Sequence, residues 1–154
     1  MNVNPTSEFP VELARVTKHW RAALDQRLAK IGLSQARMQV LGYVQQFPML
    51  AQQHVARGLG IEGSTLVALL QQLEKDGLVE RRANANDSRA RHAFLSAAGK
   101  LRYEQAEAIY LEYYQLAMVG VSQREIECLN KTYQKLLMHL NMPSEFTSKI
   151  NATR

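Results

Sequence analysis

Apolar residues recur at three- and four-residue steps along most of the chain. Near its start Leu13, Val16, Trp20, Leu24, Leu28 and Ile31 follow this spacing with Arg, Lys and Asp between them, which predicts one long amphipathic helix over residues 10 to 31, ended by Gly32. Leu66, Leu69, Leu70 and Leu73 fall at i, i+3, i+4 and i+7 and predict a second helix with one buried stripe. Ser96 is placed to cap a third, running through Leu101, Ala108, Ile109, Tyr113 and Leu116 to about Met118, with a break at Gly120. A last helix begins at Ser122, whose partner Glu125 completes a capping-box pattern, and carries Ile126, Leu129, Tyr133, Leu136, Leu137 and Leu140 on one face. Long helices at both ends expose more apolar surface than the central segment can cover. That predicts a two-fold interface of interleaved helices, the alternative being an extended intramolecular bundle.

The middle of the chain is built differently. Between Gln52 and Gly77 two short helical patterns, with apolar Val55, Ala56, Leu59, Ile61, Leu66 and Leu69, are separated by the break Leu59-Gly60-Ile61-Glu62-Gly63. Gly60 stands where the chain must turn sharply between crossing helices, a turn glycine makes at little steric cost. On the second helix Ser64, Thr65, Ala68, Gln71 and Gln72 face outward, a face that is polar and almost uncharged. A merely solvated helix more often carries Glu and Lys there, whereas Ser, Thr and Gln can hydrogen-bond base edges or phosphates. Ser64 and Thr65 lie near the helix start, where free N–H groups and the helix dipole favour a phosphate. Gln53, at the head of the first helix of the pair, joins them as a candidate contact.

Gly77 closes that helix. Leu78-Val79-Glu80-Arg81-Arg82 then reads as a strand, Asn84-Ala85-Asn86-Asp87-Ser88 as a turn and Arg91-His92-Ala93-Phe94-Leu95 as the returning strand. Arg81, Arg82, Arg89 and Arg91 are set against a single acid, Asp87, so the hairpin can lie along phosphates or enter a narrow minor groove. An Asp87–Arg89 pair across the turn could hold its tip in shape, although an exposed pair contributes only ~0–1 kcal/mol. Together these elements read as a winged helix-turn-helix and point to double-stranded DNA. The plainer alternatives are a helical hairpin with a polar outside and a solvated basic hairpin.

Composition narrows the function class. With 154 residues, 46% hydrophobic and 21% charged, the chain can bury the core of one domain, which excludes wholesale disorder. A net charge of +5 favours anionic partners without choosing among nucleic acid, membrane surface and acidic protein. No apolar run approaches the ~18 residues of a membrane helix, and the start lacks a basic n-region and apolar h-region, so a cytoplasmic chain with no membrane partner is expected. The single Cys128 reads as a small buried hydrophobe rather than a redox switch. His19, His54, His92 and His139 are scattered singly, so neither a metal nor a cofactor is expected, and His92 is placed to approach phosphate from the wing. No Gly-rich phosphate loop, nucleophile elbow or carboxylate pair argues for an enzyme.

The runs Gly60-Ile61-Glu62-Gly63-Ser64-Thr65-Leu66-Val67, Leu73-Glu74-Lys75-Asp76-Gly77-Leu78-Val79-Glu80-Arg81, Asp87-Ser88-Arg89-Ala90 and Leu95-Ser96-Ala97-Ala98-Gly99 resemble the MarR family of bacterial transcription regulators. The similarity is greatest to its SlyA branch and covers roughly residues 11 to 140. It implies a mainly α fold with a small β-hairpin, residues 1–154 forming a single MarR-type domain. Residues 34–95 would be the winged helix-turn-helix lobe, 10–31 and 97–140 the dimerisation helices, and 141–154, past the helix block at Pro143, a flexible tail. It further implies a homodimer on a pseudo-palindromic operator, with the recognition helix in the major groove and the wing in the minor groove. Two positions depart from the family pattern: Ala68 replaces a longer base-reading side chain, and Ser88 a second wing arginine. In this family small aromatic acids or phenols bind where the dimer helices meet the DNA-binding lobe and usually weaken DNA binding. By position, Arg15, Lys18 and Arg21 would take a carboxylate between apolar walls of Trp20, Met38 and Tyr43; Lys18 and Arg21 equally fit a solvated basic face. The functional alternative to a DNA-binding regulator is a winged-helix module that meets a protein.

Overall fold

The computed structural model describes residues 8–48, 51–84 and 87–140, without the side chains of 82–91. Helix α1 spans Glu8–Leu28 and tightens into a 3₁₀ turn over Ala29–Ile31, so the helix expected over 10–31 changes pitch before Gly32, at φ +70°, ends it. Helices α2 (Gln35–Gln46), α3 (Gln52–Leu59) and α4 (Gly63–Lys75) follow, then strands β1 (Val79–Asn84) and β2 (Asp87–Leu95), and helices α5 (Ala97–Ala117) and α6 (Gln123–His139). The result is mainly α with one antiparallel hairpin, the architecture of a winged helix-turn-helix.

One core holds the lobe together. Leu24 and Leu28 of α1, Val40, Leu41 and Val44 of α2, Val55 and Ala56 of α3, Leu66, Leu70 and Leu73 of α4, and Val79 of β1 are all buried in it. Helix α2 is its centre, packing against α1, α3, α4, α5 and β2. Gly60, at φ +64°, makes the turn between α3 and α4, and the Ile61 N–H donates back to the Ala56 carbonyl at 3.0 Å.

The hairpin is longer than its sequence suggests. Val79 pairs with Leu95, Arg81 with Ala93 and Ala83 with Arg91, and after a register shift Asn84 pairs with Asp87. Asn84, Asp87 and Ser88, read as turn residues, therefore belong to the strands. Asn84 and Asp87 pair with each other across the ladder whatever their turn propensity, and Ser88 lies in the irregular stretch that the register shift creates.

A compact junction joins the lobe to α5. At the end of α4 the Gly77 N–H donates to Glu74 O at 3.0 Å and the Leu78 N–H to Leu73 O at 2.9 Å, a Schellman closure with Gly77 at φ +70°. The Ser96 hydroxyl donates to Gly77 O at 2.6 Å and accepts from the Gly99 N–H at 2.9 Å, while the Ser96 N–H donates to Leu78 O at 3.1 Å. Gly99 lies so close that a Cβ there would stand 1.9 Å from the Leu78 carbonyl oxygen.

The chain ends are less well covered. Val16 is 60% exposed on α1, Leu111 and Leu116 are exposed on α5, and α6 has no buried residue and no substantial packing against another element. The Ser122–Glu125 capping box is formed, its hydrogen bonds holding the Glu125 carboxyl below the usual glutamate range. Cys128, expected to be buried, is exposed, because among the described residues no element packs substantially against α6. The expected tail, 141–154, lies outside the described residues.

Gly99→Ala drives a methyl group into backbone that a rotamer change cannot move. We expect it to lower unfolding stability by about 1–3 kcal/mol, read by urea titration. A stability equal to wild type would show that the α5–wing approach is slack.

Candidate nucleic-acid interface and adjoining cavities

Helix α4 divides cleanly. Leu66, Leu70 and Leu73 point into the core, and Ser64, Thr65, Ala68, Gln71 and Gln72 are all exposed. Gln53 is exposed at the start of α3. Glu62, the residue preceding α4, makes no side-chain cap, which leaves the positive end of this helix free of a protein acceptor from that residue. An uncharged hydrogen-bonding face can approach a polyanion without desolvating a fixed charge of its own, with the Glu62 carboxylate standing beside the helix start.

The wing arginines are not equivalent. Arg81 has a side chain only 10% exposed; its Nε lies 3.5 Å from the Glu74 carboxylate, and Nη2 donates to Val67 O at 3.4 Å. It braces β1 against α4 and has little surface left for phosphate. The side chains of Arg82, Asp87, Ser88, Arg89 and Arg91 lie outside the described residues, although their backbones run along the hairpin. His92 is partly buried with Nδ1 enclosed and without a hydrogen-bond partner, a packed position rather than a phosphate-facing one.

A second brace had no local signal in the sequence. Arg37, in the first turn of α2, donates to Gly32 O at 2.8 Å and pairs with Asp76 at the end of α4. Thirty-nine positions separate the pair, so only the tertiary fold brings them together. Nearby, the Gln35 N–H donates to the Asp25 carboxylate at 2.6 Å and Arg102 of α5 donates to Ile31 O. The short link between α1 and α2 is thereby held from three sides.

The six residues expected to form one ligand pocket are divided. Lys18 and Arg21 line a cavity of about 590 Å³ along α1, with Ala14, Thr17, Ala22 and Asp25. Trp20 and Met38 line another, of about 450 Å³, with Leu24, Gln35, Gln39, Gly42, Tyr103 and Tyr110. Arg15 is exposed and paired with Glu12 at 2.7 Å. Tyr43 packs against Phe47 and over Gly58, where a Cβ would meet its hydroxyl at 1.9 Å. Helical geometry explains the separation, because Trp20 is about 200° around α1 from Lys18. Aromatic neighbours fix the Trp20 ring, which meets Tyr113 edge-on at 4.9 Å. Gln35 and Gln39 of α2 and Tyr103 and Tyr110 of α5 carried no signal in the sequence, because the two helices are far apart along the chain and share no motif.

Among the described residues no group of three His, Cys, Asp or Glu side chains could hold a metal, and no helix is long and apolar enough to cross a membrane. Residues 31–90 match the model of the MarR family. A solved transcriptional regulator, PA3341, is 35% identical over 86% of this chain and 98% of its own, with a TM-score of 0.76. MepR of S. aureus, solved as a DNA complex, is 25% identical over 85% of this chain and 97% of its own, with a TM-score of 0.78. The regulator SlyA, at 18% identity over 91% of this chain and 99% of its own, shares the fold with a TM-score of 0.80.

Because Arg81 is spent inside the lobe, Arg81→Ala is expected to cost about 1 kcal/mol of stability through lost packing and pairing. It should leave the salt slope of DNA binding unchanged, since a true phosphate contact contributes about 0.9 to that slope. A shallower slope at unchanged stability would put Arg81 on the DNA instead.

Proposed function

The chain belongs to the MarR family of winged helix-turn-helix transcriptional regulators, and we propose that it acts as a homodimer on a pseudo-palindromic operator, with α4 in the major groove and the hairpin in the minor groove. It is a regulator, not an enzyme. The observation that carries the proposal is the exposed, uncharged face of α4, which stands beside a hairpin rich in arginine. Ser64 and Thr65 would meet phosphate, and Gln53, Ala68, Gln71 and Gln72 base edges. Arg82, Arg89 and Arg91, with Ser88 and Asp87 at the tip, would follow the minor groove. Repression, or relief of silencing, in the cytoplasm follows from this reading. Nearness to the SlyA branch rests on the sequence segments alone.

Dimerisation is supported by where apolar surface is left over. Phe9, Val11 and Val16 on α1, Leu111 and Leu116 on α5, and Leu129, Tyr133, Met138 and Leu140 on or beside α6 are all exposed, whereas the lobe leaves few large apolar side chains uncovered. Interleaving the two ends of two copies covers this surface and sets the recognition helices ~34–36 Å apart for successive major grooves.

A small aromatic effector, acid or phenol, would bind in the cavity between α1, α2 and α5, where a helix from each chain end meets the lobe. Regulators of this fold have been solved with 2,4-dichlorophenol and with p-coumaroyl-CoA. A coupling of ~1–3 kcal/mol would suffice to move operator occupancy.

Anisotropy titrations on the DNA upstream of the protein's own gene and on a scrambled duplex test the DNA reading. Arg89→Ala should weaken both and make the salt slope shallower by about 1, while Gln72→Ala should cost about 1–3 kcal/mol on the operator alone. Equal losses on both duplexes would remove Gln72 from base reading. Unchanged binding by both variants would favour a winged-helix module whose partner is a protein. Leu129→Glu on α6 should give a monomer by sedimentation and abolish tight operator binding; a persistent dimer would place the interface elsewhere.

A further inference from the structure

Among the described residues of the DNA-binding lobe, Val67 is the one large apolar side chain that the fold leaves exposed, at 36%. It stands on α4, where Leu66, Leu70 and Leu73 are buried in the core and Leu69 is half-buried at its edge. Its neighbour Ala68 is exposed as well and adds a methyl group about 100° further round the helix. Hydrogen-bonding side chains bracket the pair a turn away on each side, Ser64 before it and Gln71 and Gln72 after it, all exposed. Ser64, Ala68 and Gln71 lie within about 60° of one another around the helix, opposite the buried leucines. Val67 lies on the flank that faces the hairpin. Glu74, two turns on and therefore on the same side of α4, pairs with Arg81 of β1, which also donates to Val67 O at 3.4 Å. A single exposed valine on a solvated surface needs no partner. This one stands within the face that the DNA reading sets against base edges.

We propose that Val67, with Ala68 beside it, packs on the 5-methyl group of thymine, and that Val67 sets a preference for thymine at one position of each half-site. The inference rests on α4 lying in the major groove of an operator. Thymine's methyl is the one apolar group that a base pair presents on that edge. Cytosine at the same place offers an amino donor, which a valine cannot pair and would help to desolvate. The amides of Gln71 and Gln72 suit the N6 and N7 of adenine, so the apolar spot and its polar neighbours together fit an A·T step. Ala68 contributes through its shortness, because a long side chain on the outermost line of α4 would hold Val67 away from the bases. Burying one methyl group in each of two half-sites amounts to about tenfold in affinity.

The full-length protein is used to select tight-binding duplexes from a random pool, and a selected duplex is then prepared with thymidine and with deoxyuridine. The two forms pair alike and differ only in the methyl group. In anisotropy titrations the wild type should bind the thymine form about tenfold more tightly. Val67→Ser removes the apolar branches and should abolish this preference by weakening the thymine form alone. Val67→Thr keeps one methyl group and should retain most of it. Affinity for a scrambled duplex, and the salt slope, should be the same for all three proteins, which separates a lost methyl contact from a damaged fold. Equal affinity of the wild type for the two forms overturns the inference and leaves the operator reading standing. A preference that Val67→Ser leaves unchanged belongs to the shape of the DNA and overturns it as well. A selection that enriches no sequence overturns the operator reading itself.

Discussion

The placement of α4, the hairpin and α5 depends on one junction, the hydrogen bonds around Ser96. Its hydroxyl donates to the carbonyl of Gly77, where the recognition helix ends, and accepts from the first turn of α5. Its N–H meets Leu78, where β1 is about to begin. Three elements with different jobs are thus fixed relative to one another by the atoms of one residue. The tight approach of Gly99 to the Leu78 carbonyl removes the slack that would let α5 swing. The N-terminal end of α5 is thereby held in a fixed relation to the C-terminal end of α4 and the start of β1.

The core is divided unequally, and that division explains the shape. Helices α2, α3 and α4 and the base of the hairpin bury their apolar residues within the protomer. Helix α1 buries only its second half, and α6 buries nothing. At about 25 cal/mol per Å² of apolar surface, exposed leucines, valines and aromatics at both ends represent a large stabilisation left unused by an isolated chain. These helices are already formed, α5 and α6 with side-chain caps at Ser96 and Ser122, so a second copy would meet ordered surfaces and little chain entropy would remain to be lost.

Much of this was legible in the sequence because it is local. The stripe of Leu66, Leu70 and Leu73, the glycine stops at Gly32, Gly60 and Gly77, and the caps at Ser96 and Ser122 each rest on neighbours within a turn or two. Helix α2 was hidden for the opposite reason: enclosed by five elements, it has buried or half-buried residues on several sides and no simple stripe. The length of the hairpin was missed because cross-strand pairing overrides the turn preference of Asn, Asp and Ser. Arg81 looked like its neighbouring arginines, yet strand position turns it onto Glu74 and Val67. The two cavities were merged because residues close in number on α1 face different directions around it.

Several of those positions meet at one place in the fold. Gln35 lines the aromatic cavity and, through its N–H, is anchored to Asp25 of α1. Two residues further on, Arg37 holds Gly32 O behind it and Asp76 at the end of α4 ahead of it, and Arg102 ties Ile31 to α5. The α1–α2 link is therefore a node touched by the cavity, by both long helices and by the recognition helix. The Arg37–Asp76 pair is half exposed at Asp76 but mostly buried at Arg37, so this node ties the end of α4 to the first turn of α2 with only partial screening by solvent.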